Sequence, residues 1–272
     1  MKKLFASAFA LMTVSLGFAQ ANLDVTTQLG TGNYATVDQT GAINVNSLTQ
    51  IGNDNDADID QTGVANVNFG LSVGDRNSID VDQVGALNLN RTEQWGNDNS
   101  AQTEQDGLGN DTDQYQQGNG NDAYAGQFGM LNEIDQIQIG DGNSAQAEQF
   151  GALNVAGQEQ YGNDNMATAL QIGSENTIHQ LQEGDSNYAN HTQLGDGNWA
   201  DSHQMGNDNT TLGVQLGVDN GLVQYQWGDR NFALDTQIGI DNYSDVWQIG
   251  TDHVHVGTQV GVSNTMIITQ SN

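Results

Sequence analysis

The sequence predicts an all-β protein: a parallel β-solenoid of two sheets, amyloid-like in its cross-β stacking, with 22-residue rungs and about eleven of them. Three observations carry this prediction. An eleven-residue pattern repeats along the chain, residues alternate with a period of two inside each repeat, and neighbouring repeats differ so that a second period, twice as long, overlies the first. Alternation predicts strands, and a long fixed period predicts stacked units that bury a shared interior.

The eleven-residue pattern has no insertion or deletion between residues 28 and 270. Gln occupies every eleventh position from Gln28 to Gln270 except Ser72. Gly stands two residues after each Gln from Gly30 to Gly261. Asn stands five residues after each of those Gln residues, with His253 as the exception. Such regularity is typical of solenoids, in which each unit contacts its neighbours in the stack.

Each repeat divides into a turn and a strand. The Gly-x-x-Asn segment predicts a turn, because Gly permits unusual backbone angles and Asn tolerates left-handed geometry. About six residues remain, which is strand length. The monotonous face of that strand is predicted to lie inside and the variable face outside. In the first repeat the inner face would carry Asn33, Ala35, Val37 and Gln39, and the outer face Tyr34, Thr36 and Asp38.

The longer period defines the rung. Two residues after the Asn, one set of repeats has mostly Ala, as at Ala35 and Ala57, whereas the intervening set has residues such as Asn46 and Asn68. One rung is therefore strand, turn, strand, turn, and each strand should pair with the equivalent strands one rung before and one rung after it. At ~4.8 Å per rung the stack would be roughly 50 Å tall.

Stacking explains the amide-rich interior. A side-chain amide has both a donor and an acceptor, so identical amides one rung apart can satisfy each other in a ladder. A buried amide without a partner would cost ~1–3 kcal/mol. The predicted ladder residues include Gln28, Asn33, Gln39, Asn44, Gln50, Asn55, Gln61, Asn66, Gln138, Asn143, Gln149 and Asn154, and the predicted turn glycines include Gly30, Gly41, Gly52, Gly63, Gly140 and Gly151.

The composition restricts the classes of partner. The chain has 34 acidic and five basic residues, a formal net charge of -29. This charge argues against nucleic acid and anionic membranes as partners. Cys is absent, so no disulfide stabilises the fold, and the absence of Pro suits a chain whose N–H groups are needed in sheet ladders.

Residues 1–21 have the pattern of a secretory signal peptide. Lys2 and Lys3 precede an apolar run, and Ala19-Gln20-Ala21 forms a small-x-small cleavage motif. The run is too short and too early for a membrane span, and no membrane insertion is expected. The predicted organisation is therefore a signal peptide at 1–21, a short lead-in at 22–27 and one solenoid at 28–272.

The terminal repeats predict self-association. Neither the first repeat nor the strand at 264–270 carries the polar cap, Pro or Lys that usually blocks an exposed edge. Because all rungs are alike, the last strand of one molecule could template the first strand of another. Head-to-tail addition of this kind does not close, and it produces a fibre.

The pattern Gln28, Gly30, Asn33, Ala35, Gln39 resembles the curlin repeat of bacterial curli subunits. All five residue types recur at positions 50, 52, 55, 57 and 61, and again at 138, 140, 143, 145 and 149. The resemblance covers essentially the whole chain after the signal peptide. It implies a secreted, extracellular fibre subunit of biofilm matrix and surface attachment, with other curlin subunits and an outer-membrane secretion apparatus as partners. It leaves open whether the chain is a major subunit or a fibre nucleator.

Two outward features admit a structural and a functional interpretation. The residue after each Gln is often large and apolar, as at Leu29, Trp95 and Trp227, which predicts packing beneath the adjoining turn or else a stripe that binds other fibres. An acidic column with one carboxylate per rung predicts a solubilising face, or else an edge that binds divalent cations such as calcium. Its members are Asp38, Asp60, Asp82, Glu104 and Glu148.

His253 and His255 share a face by parity, which would allow metal binding, but two ligands are too few and an irregular terminal rung is the preferred interpretation. No cofactor and no catalytic activity are expected, because the same residues recur in every repeat without a nucleophile and base. The rival hypothesis is a monomeric solenoid that binds cations or ice. Ice binding requires a regular Thr array, and the column at Thr192, Thr236 and Thr258 is interrupted by Val214.

Overall fold

The computed structural model describes residues 21–272, and the signal peptide prediction falls outside these residues apart from Ala21. The described chain consists of 23 strands joined by short turns. In order they are β1 (Leu23–Thr31), β2 (Tyr34–Ala42), β3 (Val45–Asn53), β4 (Asp56–Val64), β5 (Val67–Asp75), β6 (Ser78–Ala86), β7 (Leu89–Asn97), β8 (Ser100–Leu108), β9 (Asp111–Asn119), β10 (Asp122–Met130), β11 (Glu133–Ile139), β12 (Ser144–Ala152), β13 (Val155–Tyr161), β14 (Met166–Ser174), β15 (Thr177–Glu183), β16 (Tyr188–Asp196), β17 (Trp199–Met205), β18 (Thr210–Val218), β19 (Gly221–Asp229), β20 (Phe232–Ile240), β21 (Tyr243–Thr251), β22 (Val254–Val262) and β23 (Thr265–Ser271).

The strands form two parallel sheets that face each other. The odd-numbered strands make sheet A, with 12 strands, and the even-numbered strands make sheet B, with 11 strands. Neighbours in a sheet pair residue for residue one rung apart, so Gln28 lies beside Gln50 and Ala35 beside Ala57. The predicted fold class, a two-sheet parallel solenoid with 22-residue rungs and about eleven turns, is confirmed. Among residues 21–272 no helix is long and apolar enough to cross a membrane.

The turns differ from the prediction in one respect. Asn does not take the left-handed conformation; the residue before it does, as Asp54 with φ 54° and Ala65 with φ 59° show. Asn instead extends its side chain into the interior, where its amide is needed in the ladder. The turn Gly has φ near 130°, as at Gly52 (φ 129°), and thereby lets the chain reverse direction. Even the turn backbone bonds along the stack, since the Asp54 N–H donates to the Thr31 carbonyl at 2.9 Å.

The interior is narrow and largely polar. Inward residues alternate with outward ones along each strand, as the burial of Ala57, Ile59 and Gln61 in β4 illustrates. Apolar side chains fill the space between the amide columns in two clusters, one around Leu48 and the other around Ile134. The small Ala residues allow the two sheets to approach closely. Hydrogen bonds between buried amides therefore contribute to the stability of this interior, whereas an ordinary core is stabilised mainly by large apolar side chains.

The lead-in at 22–27 belongs to the solenoid. β1 begins at Leu23, whose N–H donates to the Asn44 carbonyl at 2.8 Å. Asn22 takes the position of a ladder Asn, because its Oδ1 accepts from the Asn44 N–H at 3.0 Å. The repeat pattern is therefore structurally present one strand before the first complete Gly-x-x-Asn motif.

Candidate assembly site: the amide ladders and the outer faces

The Gln residues form two ladders, one in each sheet, and the ladder of sheet A is interrupted at Ser72. Elsewhere the side-chain amide donates to the Gln one rung further along the chain, as Gln138 Nε2 does to Gln160 Oε1 at 2.9 Å. The same nitrogen donates to a backbone carbonyl of the other sheet, since Gln138 Nε2 lies 2.9 Å from the Asp122 oxygen. Each buried Gln therefore binds along the stack and also ties the two sheets together. Gln28, Gln39, Gln50, Gln61 and Gln149 make contacts of the same kinds.

The Asn residues form ladders that run in the opposite direction. Asn55 Nδ2 donates to Asn33 Oδ1, one rung earlier, at 3.1 Å. It also donates to the carbonyl of Gly74, in the equivalent turn one rung later, at 2.8 Å. The Asn33 Oδ1 accepts a second bond from the Asn55 backbone N–H at 3.0 Å. Asn side chains thus hold the turns in register. The predicted residues Asn44, Asn66, Asn143 and Asn154 lie in equivalent bonds.

The turn glycines permit a close approach of successive turns. A Cβ added at Gly30, Gly41, Gly63, Gly140 or Gly151 would collide with the carbonyl oxygen of the Gly one rung later. That carbonyl also accepts from the ladder Asn, so it cannot move away without loss of a hydrogen bond. Gly is required at these positions for both its backbone angles and its lack of a side chain.

Two shorter ladders were missed from the sequence. Gln114, Gln136, Gln158 and Gln180 stack in sheet A, each amide donating to the next at 2.8–3.0 Å. Asn46, Asn68 and Asn90 form another, at 2.7–2.8 Å. The sequence does show identical residues at a spacing of one rung at these positions. The two ladders cover only part of the chain, however, and their positions are not part of the shared eleven-residue pattern.

Irregular interior residues are accommodated by local partners. Ser72 donates to Gln94 Oε1 at 3.2 Å, and it replaces a ladder amide with a shorter group. Asp235 is buried, and its carboxylate accepts from Gln224 Nε2 at 2.8 Å and from Ser244 Oγ at 3.0 Å. His255 Nε2 lies 3.1 Å from the same carboxylate. These partners offset the cost of burying Asp235 inside the solenoid.

His253 and His255 do not meet at one site. The His253 ring contacts the Ile249 carbonyl through Nε2 at 3.1 Å, whereas the His255 ring contacts Asp235. Within residues 21–272 no group of three or more His, Cys, Asp or Glu side chains is arranged to hold a metal ion. His253 takes the position of a ladder Asn, with its N–H donating to Asn231 Oδ1 at 3.1 Å, and His255 lies in the interior.

A buried histidine makes stability depend on pH. His191 Nδ1 accepts from Gln180 Nε2 at 2.9 Å and His191 Nε2 donates to Gln224 Oε1 at 3.2 Å, while burial lowers the pKa of the ring to about 4. The ring is therefore neutral in the folded state at pH values where an exposed His is protonated. The pKa difference from the ordinary value predicts a loss of stability as pH falls from about 6.5 to 4, on the order of 3 kcal/mol.

We expect His191→Ala to remove this part of the pH dependence. Ala169 occupies the same position one rung earlier, so the fold accepts Ala in this column. The free energy of unfolding, measured in urea at pH 7 and at pH 4, should decrease less in the variant than in the original chain. An equal decrease in both would show that another group controls acid sensitivity.

The acidic column lies on the outer face of sheet B. Asp38 pairs with Asp60, Asp60 with Asp82 and Asp82 with Glu104, each one rung apart. Gly126 then interrupts the column before Glu148. The pKa values of Asp60 and Asp82 are raised, mainly by partial burial and to a smaller extent by repulsion from nearby carboxylates. A second acidic group on sheet A was missed; there burial and the carboxylates around it raise the pKa of Asp135 to about 6.

The apolar residues after each Gln do not pack beneath the turns. Leu29 is 58% exposed and Trp227 is 63% exposed, so they stand on the outer surface. The sequence interpretation of buried packing is wrong for them, because the turn folds over the interior amides and leaves this position outside. Near the C-terminus three residues that follow a ladder Gln line one side of a cleft of about 230 Å³, and a column of aromatic residues lines the other. The first group is Met205, Trp227 and Ile249, and the column is His203, Tyr225 and Trp247. Tyr225 and Trp247 stack with their ring centroids 4.6 Å apart.

The model of the curlin associated repeat matches residues 30–63 and 140–173. The first matched segment extends from a turn Gly in β1 to one in β4, and the second from the turn after β11 into β14. Each segment therefore spans three successive strands, two from sheet B and one from sheet A. No curated protein matches the chain.

Proposed function

We propose that this chain, which carries the curlin associated repeat at residues 30–63 and 140–173, is a structural subunit of extracellular, curli-like amyloid fibres. The family is structural and non-enzymatic, and the solenoid fits such a role. The observation that carries the proposal is the equivalence of rungs: apart from the substitutions at Ser72 and His253, each rung presents to the next the same amide donors and acceptors in the same register. A second copy can therefore continue the stack where the first one presents an open strand edge.

The ladders also support one relative orientation of joined copies, head to tail. At β23 the Gln270 Oε1 already accepts from Gln248 Nε2 at 2.8 Å, and its own amide nitrogen faces the open edge. At β1 the Gln28 amide nitrogen is engaged with Gln50, so its oxygen faces the opposite edge. A head-to-tail contact would join a donor to an acceptor, whereas head-to-head contact would oppose two oxygens. We therefore propose directional self-assembly, with β23 of one copy beside the first strands of the next.

We further propose that the fibres lie outside the cell, in biofilm matrix and in attachment to surfaces. The curlin repeats support this localisation, together with the signal peptide pattern in the sequence. The proposed partners are further copies of this chain, other curlin subunits and an outer-membrane secretion apparatus.

The open edge of β23 allows a direct test. Tyr243 N–H donates to the Asn264 carbonyl, so outward residues bond to the following rung, and the outward residues of β23 direct their N–H groups to the open edge. Ile267→Pro removes one such N–H without removing a bond inside the molecule. Proline on an edge strand blocks further pairing. Ile267→Val is the matched control.

Residues 22–272 should form fibres that seed further growth and diffract at ~4.8 and ~10 Å. The control should elongate at the original rate, and Ile267→Pro should reduce seeded elongation at least about tenfold, as loss of more than ~1.4 kcal/mol of contact energy would. Folded chains that remain monomeric at high concentration would overturn the fibre proposal. Undiminished growth of the proline variant would overturn the proposed edge.

A further inference from the structure

The outer face of sheet B is divided into two halves of different chemistry. On β2 to β12, ten of the outward residues that precede the turn Gly are Asp or Glu, and they include the acidic column. On β14 to β22 the outward residues that precede the turn Gly include no charged side chain. Apart from five Thr and one Asn they are apolar. This uncharged block consists of Met166, Thr168, Leu170, Ile172, Tyr188, Asn190, Thr192, Leu194, Thr210, Leu212, Val214, Leu216, Phe232, Leu234, Thr236, Ile238, Val254, Val256, Thr258 and Val260.

The side chains of the uncharged block face away from the solenoid interior. The inward neighbours along β20 are buried, whereas Phe232, Leu234 and Ile238 retain access to solvent. Ile238 is 40% exposed, and Val260 on the last strand of the sheet is 67% exposed. The apolar residues therefore form one continuous exposed surface. Surfaces of this kind mark interaction sites in soluble proteins.

We propose that the uncharged block packs face to face against the same block of a second copy of this chain. The block covers the seven residues before the turn Gly in each strand, or ~23 Å, and its five strands span ~24 Å, which gives a face on the order of 550 Å². Stable protein interfaces start at about 600 Å² on each partner. The block is thus close to the lower limit of the size that a self-complementary pair requires.

The charges select both the partner and its placement. An acidic chain with a net charge of -29 is repelled by a second copy unless the contact excludes the carboxylates. The uncharged block is the part of sheet B where that condition holds. A two-fold axis perpendicular to the solenoid axis superposes two such blocks and directs the acidic halves of the two chains away from each other. Parallel placement would instead set the carboxylates of β2 to β12 opposite one another across ~10 Å.

This contact is distinct from fibre growth. Growth uses the open strand edges, and pairing uses the side chains of a sheet face, so each can occur without the other. Val214 and Ile238 lie on adjacent strands of the block and point outward. The double variant Val214→Glu/Ile238→Glu places charges inside the proposed contact and leaves the interior amides intact. The matched control is Val45→Glu/Ile51→Glu on the outer face of sheet A, where the charge change is identical.

The test measures how many chains lie side by side. The mass of soluble folded chains, before fibres form, is measured by sedimentation. We expect a dimer in the original protein and in the control, and half that mass in Val214→Glu/Ile238→Glu. Single chains in the original protein would overturn the inference, as would pairs that persist in the double variant or are lost in the control. Failure of fibre growth would leave the dimer measurement decisive.

Discussion

Gly151→Ala is expected to lower the free energy of unfolding by more than about 3 kcal/mol, through strain and steric conflict together. Gly151 has φ 127°, which an L-residue rarely adopts, and a Cβ there would collide with the Gly173 carbonyl oxygen. That oxygen is held by Asn154 Nδ2 at 3.0 Å, so relief of the collision would break a ladder bond. Urea unfolding followed by circular dichroism measures the change.

Gly120→Ala provides the matched control for this prediction. Gly120 has φ 66° and no atom within 4 Å of an added Cβ. Non-glycine residues hold the same turn position elsewhere, including Ala65 at φ 59°. We expect a cost of about 1 kcal/mol or less for the control. If both variants lost similar stability, backbone strain rather than the close approach of turns would explain the Gly repeat.

Gln116→Glu is expected to destabilise the fold by about 3–5 kcal/mol at pH 7, the cost of an uncompensated buried charge. Gln116 Nε2 donates to the Ser100 carbonyl and to Gln138 Oε1, each at 2.8 Å. A carboxylate would face both acceptors without a proton to donate. Burial would raise the pKa of the introduced carboxyl, so the effect should diminish as pH falls from that raised pKa to the ordinary pKa of Glu, because a protonated carboxyl can donate one of the two bonds.

The neighbouring residue supplies the control. Gln117 lies on the outer face of the same strand and is exposed, so Gln117→Glu adds the same charge in water. We expect that variant to change stability by less than about 0.5 kcal/mol. Unfolding measured at pH 7 and pH 4 should separate the two variants at pH 7 and bring them closer at pH 4. Equal stability at pH 7 would contradict the ladder interpretation.

The fold could be predicted from the sequence because one rule, repetition, determines it. Gln28 and Gln50 stand one full period apart in the sequence and are adjacent in space, so spacing alone predicted strand order and register. The interior face followed from the same repetition. The sequence did not predict which turn residue takes the left-handed conformation. That position, directly before the ladder Asn, is held by residues as different as Ile43, Asp54 and Arg76. Backbone geometry at such a site leaves no signature in residue type.

Features that depend on a few rungs were harder to predict. The ladder from Gln114 to Gln180 fills an interior position that holds Leu48 and Gly70 in earlier rungs. The partners of Asp235 come from both sheets, and only the distance between the sheets brings Gln224 and Ser244 to it. Periodicity specifies neighbours along a sheet, whereas contacts across the interior depend on side-chain size and sheet separation.

The opposed directions of the Gln and Asn ladders have an electrostatic consequence. Amide dipoles aligned head to tail add along an α-helix and leave partial charges at its ends. Here the Gln dipoles point one way along the axis and the Asn dipoles the other, as Gln138 and Asn55 illustrate. Their contributions oppose each other in every rung, and the sheet backbone adds little. A stack of these rungs can therefore lengthen without the accumulating axial dipole that a single amide column would produce.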